Sequence, residues 1–258
     1  MRCIAVANQK GGVGKTTTCV NLAAALASTK ARVLLFDLDP QGNATVGCGV
    51  NPRSLLVSAY EVLLGSHSIE QARFQLPELG LDLLPSNSDL TAAEVSLLQR
   101  EEREFALKRA LQPVGGKYDW IIIDCPPSLN ILTLNALAAA HSVLIPMQCE
   151  YYALEGLTAL IDTVNQVRAS VNPDLEIEGL LRTMFDVRNN LSTAVSDQLV
   201  EHFGEQVYRT IVPRNVRIAE APSYGLPVMF HDPGSKGALA YLGLAGEMLR
   251  RYGKKLKD

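Results

Sequence analysis

The sequence predicts an α/β protein built on a mostly parallel, twisted sheet flanked by helices on both faces. Short apolar runs alternate with longer Ala/Leu-rich stretches along most of the chain. The runs are apolar throughout rather than alternating with polar residues, as strands covered from both sides must be. Two of them end in a carboxylate, Asp37 and Asp124, at the strand end where an open parallel sheet binds its ligands.

Taken in order, residues 3–8 form the first strand candidate, followed by a glycine-rich loop and a helix over Lys15–Ala27. Residues 32–37 (RVLLFD) give a second strand and residues 81–85 (LDLLP) a weaker one. Further strands follow at Trp120–Asp124 (WIIID), 142–147 (SVLIPM), 176–183 and 206–212. Helical stretches lie between them at 130–140, 154–169 and 193–203. No internal repeat or low-complexity linker interrupts the pattern, so residues 1–258 are expected to form one domain.

Apolar residues make up 47% of the chain and charged residues 20%, enough for a large core under a soluble surface. The net charge of −3 excludes a protein coated in positive charge. Residues 176–258 carry 11 Lys/Arg against 10 Asp/Glu, whereas residues 1–175 carry 13 against 17. Any nucleic-acid contact is therefore expected from a local, salt-sensitive patch in the C-terminal third. The five cysteines show no C-x-x-C pair and are read as buried, reduced thiols. No signal peptide is evident, and no run approaches the ~18 apolar residues of a membrane span. A cytoplasmic location is expected.

Lys10-Gly11-Gly12-Val13-Gly14-Lys15-Thr16-Thr17 joins the first strand to the first helix. Glycines let such a loop wrap its N–H groups around phosphate oxygens, and the helix start adds its positive dipole end. Lys15 is placed to neutralise the β- and γ-phosphates and the Thr16 hydroxyl to ligate Mg²⁺. The site thus calls for ATP and Mg²⁺, as in a P-loop NTPase. The usual P-loop has a glycine where this chain has Gln9, and a second lysine, Lys10, stands at the entrance. Charge logic lets that lysine stabilise a transition state in a second subunit, as an arginine finger does.

Asp37 and Asp39 end the second strand in FDLDPQGNAT, facing the ligand crevice. Asp37 is read as a support for the loop or the magnesium shell. Ile121-Ile122-Ile123-Asp124 is a Walker B pattern, with Asp124 expected to hold Mg²⁺ through water. Cys125-Pro126-Pro127-Ser128 forms a stiff turn beside it.

The K-G-G-x-G-K-[ST] loop resembles the deviant Walker A of the ParA/MinD group. The further segments YDWIIIDCPPSLN, IPMQCEYYALEGL, LLRTMFDVR and VPRNVRIAEAPSYGLPV, with GALAYLGLAGE, extend the resemblance to the short chromosomal ParA (Soj) proteins over essentially the whole chain. The resemblance implies that Lys10 reaches phosphates on a partner's nucleotide and that Asp39 positions the attacking water. It implies that Pro213, Arg214 and Asn215 line the adenine pocket and that Glu150 contacts ribose across a dimer. Arg188 and Arg217 match positions that contact DNA non-specifically. It further implies an ATP-dependent homodimer on the nucleoid, released by hydrolysis that a ParB-type partner stimulates. The first strand begins almost at Met1, so no N-terminal helix-turn-helix is expected.

The alternative is a MinD-like membrane-associated ATPase, which uses a C-terminal amphipathic helix. Here Leu239, Leu242, Met248 and Leu249 are read as core, with Lys254, Lys255 and Lys257 as a basic tail, so no stable membrane association is expected. A reductase like the nitrogenase iron protein would need a second cluster cysteine that is not evident. An amidoligase would need an acceptor site for which no polar cluster is evident.

Overall fold

The computed structural model describes residues 1–151 and 153–255. Its strands are β1 (Arg2–Val6), β2 (Val33–Asp37), β3 (Phe74–Leu76), β4 (Leu81–Leu84), β5 (Trp120–Asp124), β6 (Ser142–Gln148), β7 (Glu176–Phe185) and β8 (Val207–Pro213). They form an eight-stranded sheet in the order β3-β4-β2-β5-β1-β6-β7-β8. Every pairing is parallel except β3 with β4.

Helices α1 (Lys15–Ala27) and α2 (Asn43–Gly47) come first, then four short ones: α3 (Ala59–Leu63), α4 (Ile69–Ala72), α5 (Leu90–Leu98) and α6 (Ala106–Leu111). Helices α7 (Ile131–Ala139), α8 (Ala153–Ser170) and α9 (Asn190–Phe203) follow, the last two longer. The chain closes with α10 (Val216–Glu220), α11 (Val228–His231) and α12 (Lys236–Lys255).

Side chains alternate across the pleat, so each central strand feeds two cores. Cys3 and Ala5 of β1, with Ile121 and Ile123 of β5, face the core covered by α3 to α9. Ile4, Val6 and Ile122 face the opposite core under α1, α11 and α12. All five cysteines are buried and unpaired.

The departures from expectation have local causes. The first strand stops at Val6, because the Asn8 side chain accepts from the Lys10 N–H at 3.0 Å and turns the chain into the loop. β3 was invisible as a strand because it has three residues, with Phe74 and Gln75 exposed. The helices α2, α3, α4 and α6, of four to six residues, are too short to display a helical period. Two of them carry a start signal, the capping boxes Ser58/Glu61 and Ser68/Gln71.

The reading of Leu239 and Leu242 as core is corrected: they are 58% and 37% exposed. The packed face of α12 is Ala238, Tyr241, Leu244, Ala245 and Met248, offset by one position from that stripe. The side chains of Lys254 and Lys255, and residue Lys257, lie outside the described residues. Among the described residues no helix is long and apolar enough to cross a membrane.

Candidate phosphate-binding and hydrolysis site

Parallel register brings three strand ends to one level. Val6 and Asp37 both stand opposite Asp124 of β5. The loop leaving β1 therefore begins beside both carboxylates. Gly12 and Gly14 take positive φ values of 75° and 85°, which side-chain-bearing residues adopt at a cost. A Cβ added at Gly11 or Gly12 would meet nothing within 4 Å, so these residues border open space. Helix α1 has no side-chain cap and no acidic residue in its first turn. Its first amides are thus left for an anion.

Several loop carbonyls are held by donors. The Lys15 ammonium donates to the Lys10 carbonyl at 3.1 Å, and the Gln148 amide to the Gly12 carbonyl at 3.4 Å. The Thr183 hydroxyl lies 2.8 Å from the Val13 carbonyl oxygen. Asn8 donates to the Pro146 carbonyl at 2.8 Å, tying the loop's entrance to β6. The Val13 side chain is buried, so its contribution to a phosphate is through backbone. Thr16 and Thr17 enter the first turn of α1.

Lys15 is 93% buried by accessibility, being 7% exposed, and this desolvation lowers its pKa against the pull of Asp124 and Asp39. Asp124 is fully buried, and burial followed by the nearby Asp37 pushes its pKa well above the ordinary carboxylate range. The Thr16 hydroxyl and the Cys19 thiol, the latter 3.3 Å away, oppose that shift. The Asp124 Oδ2 is buried without a hydrogen-bond partner among the described residues. An orphaned, buried carboxylate oxygen beside a threonine hydroxyl fits a magnesium ion that keeps most of its ligands as water and phosphate. Among the described residues there is no cluster of three or more His, Cys, Asp or Glu side chains that could hold a metal ion.

Asp37 resolves the choice left open for it. Its carboxylate accepts from the Thr45 N–H and hydroxyl at 2.8 and 2.7 Å and from the Asp39 N–H at 3.2 Å. It organises the loop between β2 and α2. Asp39, nine-tenths buried, accepts from the Gln41 N–H at 2.9 Å, and Ser86 fixes its carbonyl at 2.8 Å.

These are the parts of a nucleoside-triphosphate site: a glycine cradle, a buried lysine and a buried carboxylate with an unspent oxygen. Residues 1–177 match the family model described as an AAA domain. The chromosome partitioning protein ParA of Myxococcus xanthus is 52% identical over 250 residues, which is 97% of this chain and 88% of that protein. The chromosome-partitioning ATPase Soj of Thermus thermophilus is 51% identical over 251 residues, 97% of this chain and 96% of that one. This chain belongs to the ParA/Soj family of partitioning ATPases. Among solved structures, one named cobyrinic acid a,c-diamide synthase, from Mycobacterium smegmatis with bound ADP and magnesium, superposes with a TM-score of 0.86. It is 43% identical and the match covers 98% of this chain and 96% of that one.

The remaining positions singled out by the ParA/Soj resemblance lie beyond the same strand ends. Lys10 is half-exposed and pairs with Glu150 of its own chain at 2.6 Å. Pro213 ends β8, and Arg214 donates its N–H to the Phe185 carbonyl at 3.1 Å. Asn215 caps α10, accepting from Ile218 at 3.3 Å. Arg188 is highly exposed and forms a two-point contact with Asp186 at 2.9 and 2.8 Å. Arg217 pairs with Glu220 and Asp232 at 2.8 and 3.2 Å. Both arginines are thus partly neutralised by neighbours in the single chain. Sequence reading passed over Asn8, Thr45, Gln148 and Thr183, whose partners lie 2 to 170 positions away.

Proposed function

We propose that this chain is an ATP-dependent partitioning protein whose ATP-bound subunits close into a sandwich dimer on non-specific double-stranded DNA. ATP and Mg²⁺ are its cofactors, held by the loop from Lys10 to Thr17 and by Asp124. Asp39 orients the attacking water. Hydrolysis separates the subunits and releases DNA, and a ParB-type centromere-binding partner accelerates that step on the nucleoid. Residues 1–258 act as one ATPase domain in this reading.

The observation that carries it is the difference between the two lysines. Lys15 folds into its own loop, with its ammonium on the Lys10 carbonyl, whereas Lys10 points out of the cradle to a half-exposed Glu150. A cation so placed serves a phosphate from outside the subunit. An exposed pair of this kind is worth no more than about 1 kcal/mol, so a partner's triphosphate can displace it. Dimerisation doubles the phosphate contacts available from Arg188 and Arg217, which strengthens the electrostatic term steeply.

The test is sedimentation of the purified protein with a non-hydrolysable ATP analogue and magnesium, paired with turnover measured with and without duplex DNA and a cognate ParB. A dimer that requires Lys10, with turnover raised by both additions, is the expected outcome. A monomer at saturating nucleotide sinks the proposal. The name of the Mycobacterium smegmatis structure raises a second reading, an ATP-dependent amide synthase. Turnover that instead demands glutamine or ammonia and a carboxylic acid acceptor would favour it. Co-sedimentation with anionic liposomes separates the membrane-bound alternative, for which α12 leaves Leu239 and Leu242 exposed beside its packed face.

A further inference from the structure

We propose that Thr183 is a positioning residue for the phosphate loop, setting the direction of the Gly14 N–H from two strands along the sheet. Thr183 lies near the end of β7, two strands away from β1, and is buried. Its hydroxyl is 2.8 Å from the Val13 carbonyl oxygen and 3.1 Å from that of Met147. A hydroxyl has one proton to give, and the nearer oxygen belongs to the loop.

In a trans peptide the C=O and the following N–H point in opposite directions. Holding the Val13 carbonyl toward β7 therefore aims the Gly14 N–H away from β7, into the space the loop encloses. The Val13–Gly14 peptide needs this support more than most. Gly14, at φ 85°, can take up many conformations, and the peptide plane before a glycine turns easily. The Thr183 methyl carbon also lies 3.9 Å from where a Gly14 Cβ would sit, so β7 backs the loop by contact as well. The Gln148 amide, from β6, holds the preceding Gly12 carbonyl more loosely at 3.4 Å.

The inference rests on the reading of this loop as a nucleotide cradle. Thr183 touches no phosphate itself, so it acts on ground-state binding rather than on the chemical step. Fluorescence titration with Mg-ATP and Mg-ADP, alongside steady-state kinetics and nucleotide-free melting curves, tests it. Thr183→Val keeps the shape and removes the donor. It should weaken ATP and ADP together by about tenfold, the scale of one hydrogen bond to a charged group, and raise KM in step while kcat stays within about twofold. Thr183→Ser should restore affinity, and Thr183→Cys, a weaker donor, should fall between. Should Thr183→Val fail to fold, the order wild type and Ser above Cys carries the test.

Equal affinity across the series, a Ser variant as weak as Val, or a loss confined to kcat would overturn the assignment. Wild-type protein that binds neither nucleotide would instead remove the proposed function on which it rests. The two failures are therefore distinguishable.

Discussion

The two rims of the sheet both bury charge, and they treat it in opposite ways. Beyond the C-terminal strand ends lie Lys15, Asp37, Asp39 and Asp124, each at most 7% exposed, with one Asp124 oxygen lacking a partner among the described residues. At the other rim, Glu178 accepts from Arg2 at 2.9 Å, Ser142 at 2.7 Å and Tyr208 at 3.2 Å. Along the edge strand β8, Glu247 of α12 accepts from the Arg209 and Thr210 amides, the Thr210 hydroxyl and Arg251, all within 2.9 Å. Burial acts on both carboxylates. It pushes Asp124 up, with Asp37 adding to it, whereas at Glu247 the same burial is outweighed by the donors, which hold its pKa below the usual range. A cavity of about 520 Å³ at this second rim is bordered by Arg32, Arg73 and Lys117, and each of those cations already faces a carboxylate of its own chain. One rim spends its charges on the fold. The other satisfies Asp37 within the fold and leaves Lys15 and one Asp124 oxygen for a ligand.

The sharpest way to break this contrast is Lys15→Ala. Isothermal titration should show Mg-ATP affinity reduced at least about a hundredfold, since a buried cation facing phosphates loses its strongest contacts. The nucleotide-free melting temperature should not fall, because a desolvated ammonium opposes folding. Unchanged affinity would mean that the charges of this rim are structural after all.

Asp39→Ala comes next. It should keep nucleotide binding and lower turnover on the order of a hundredfold, the lower end for a positioned acid–base group. A phosphate-release assay reads it directly, and normal turnover would take Asp39 out of the chemistry.

Glu247→Ala tests the buried charge along the edge strand β8. Four donors lose their acceptor, so chemical unfolding should report a loss of about 2 kcal/mol, with turnover per folded molecule unchanged. A carboxylate held below its unfolded pKa stabilises the fold above the ordinary glutamate range, near pH ~4.3, and loses that stabilisation as pH falls through its folded value. The gap between wild type and variant should therefore be widest at neutral pH and close in acid. A gap independent of pH would show that packing, not charge, is what Glu247 supplies.

Asp124→Asn should have the smallest effect on the fold and the opposite sign. A carboxyl whose folded pKa is raised costs stability once pH exceeds its unfolded pKa, and an amide escapes that cost. The nucleotide-free protein should gain about 1 kcal/mol, or about 3 °C in a chain of this size, while magnesium-dependent turnover falls. A destabilised variant would mean that Asp124 is already satisfied in the fold.

The phosphate loop and the Walker B strand were legible because their requirements are local. Glycines at fixed offsets, a lysine and a hydroxyl all lie within eight consecutive residues just after a strand, and WIIID names its own burial. Asp37 and Asp39 were legible as site residues, but not their division of labour, which depends on Thr45 and Ser86 arriving from other elements. The face of α12 was misjudged at Leu239 and Leu242, since helical spacing shows that a stripe exists without saying which neighbour covers it.

By itself the sequence determined the sheet class, the nucleotide loop and the carboxylates beyond the strand ends, because backbone conformation and ligand chemistry are written in short contiguous runs. Only the tertiary structure decided that Thr183 backs Val13, that Lys10 meets Glu150 and that Glu247 covers the edge strand β8. Those partners are set by strand order and register, which bring together residues as far apart as 170 positions and which no local pattern encodes.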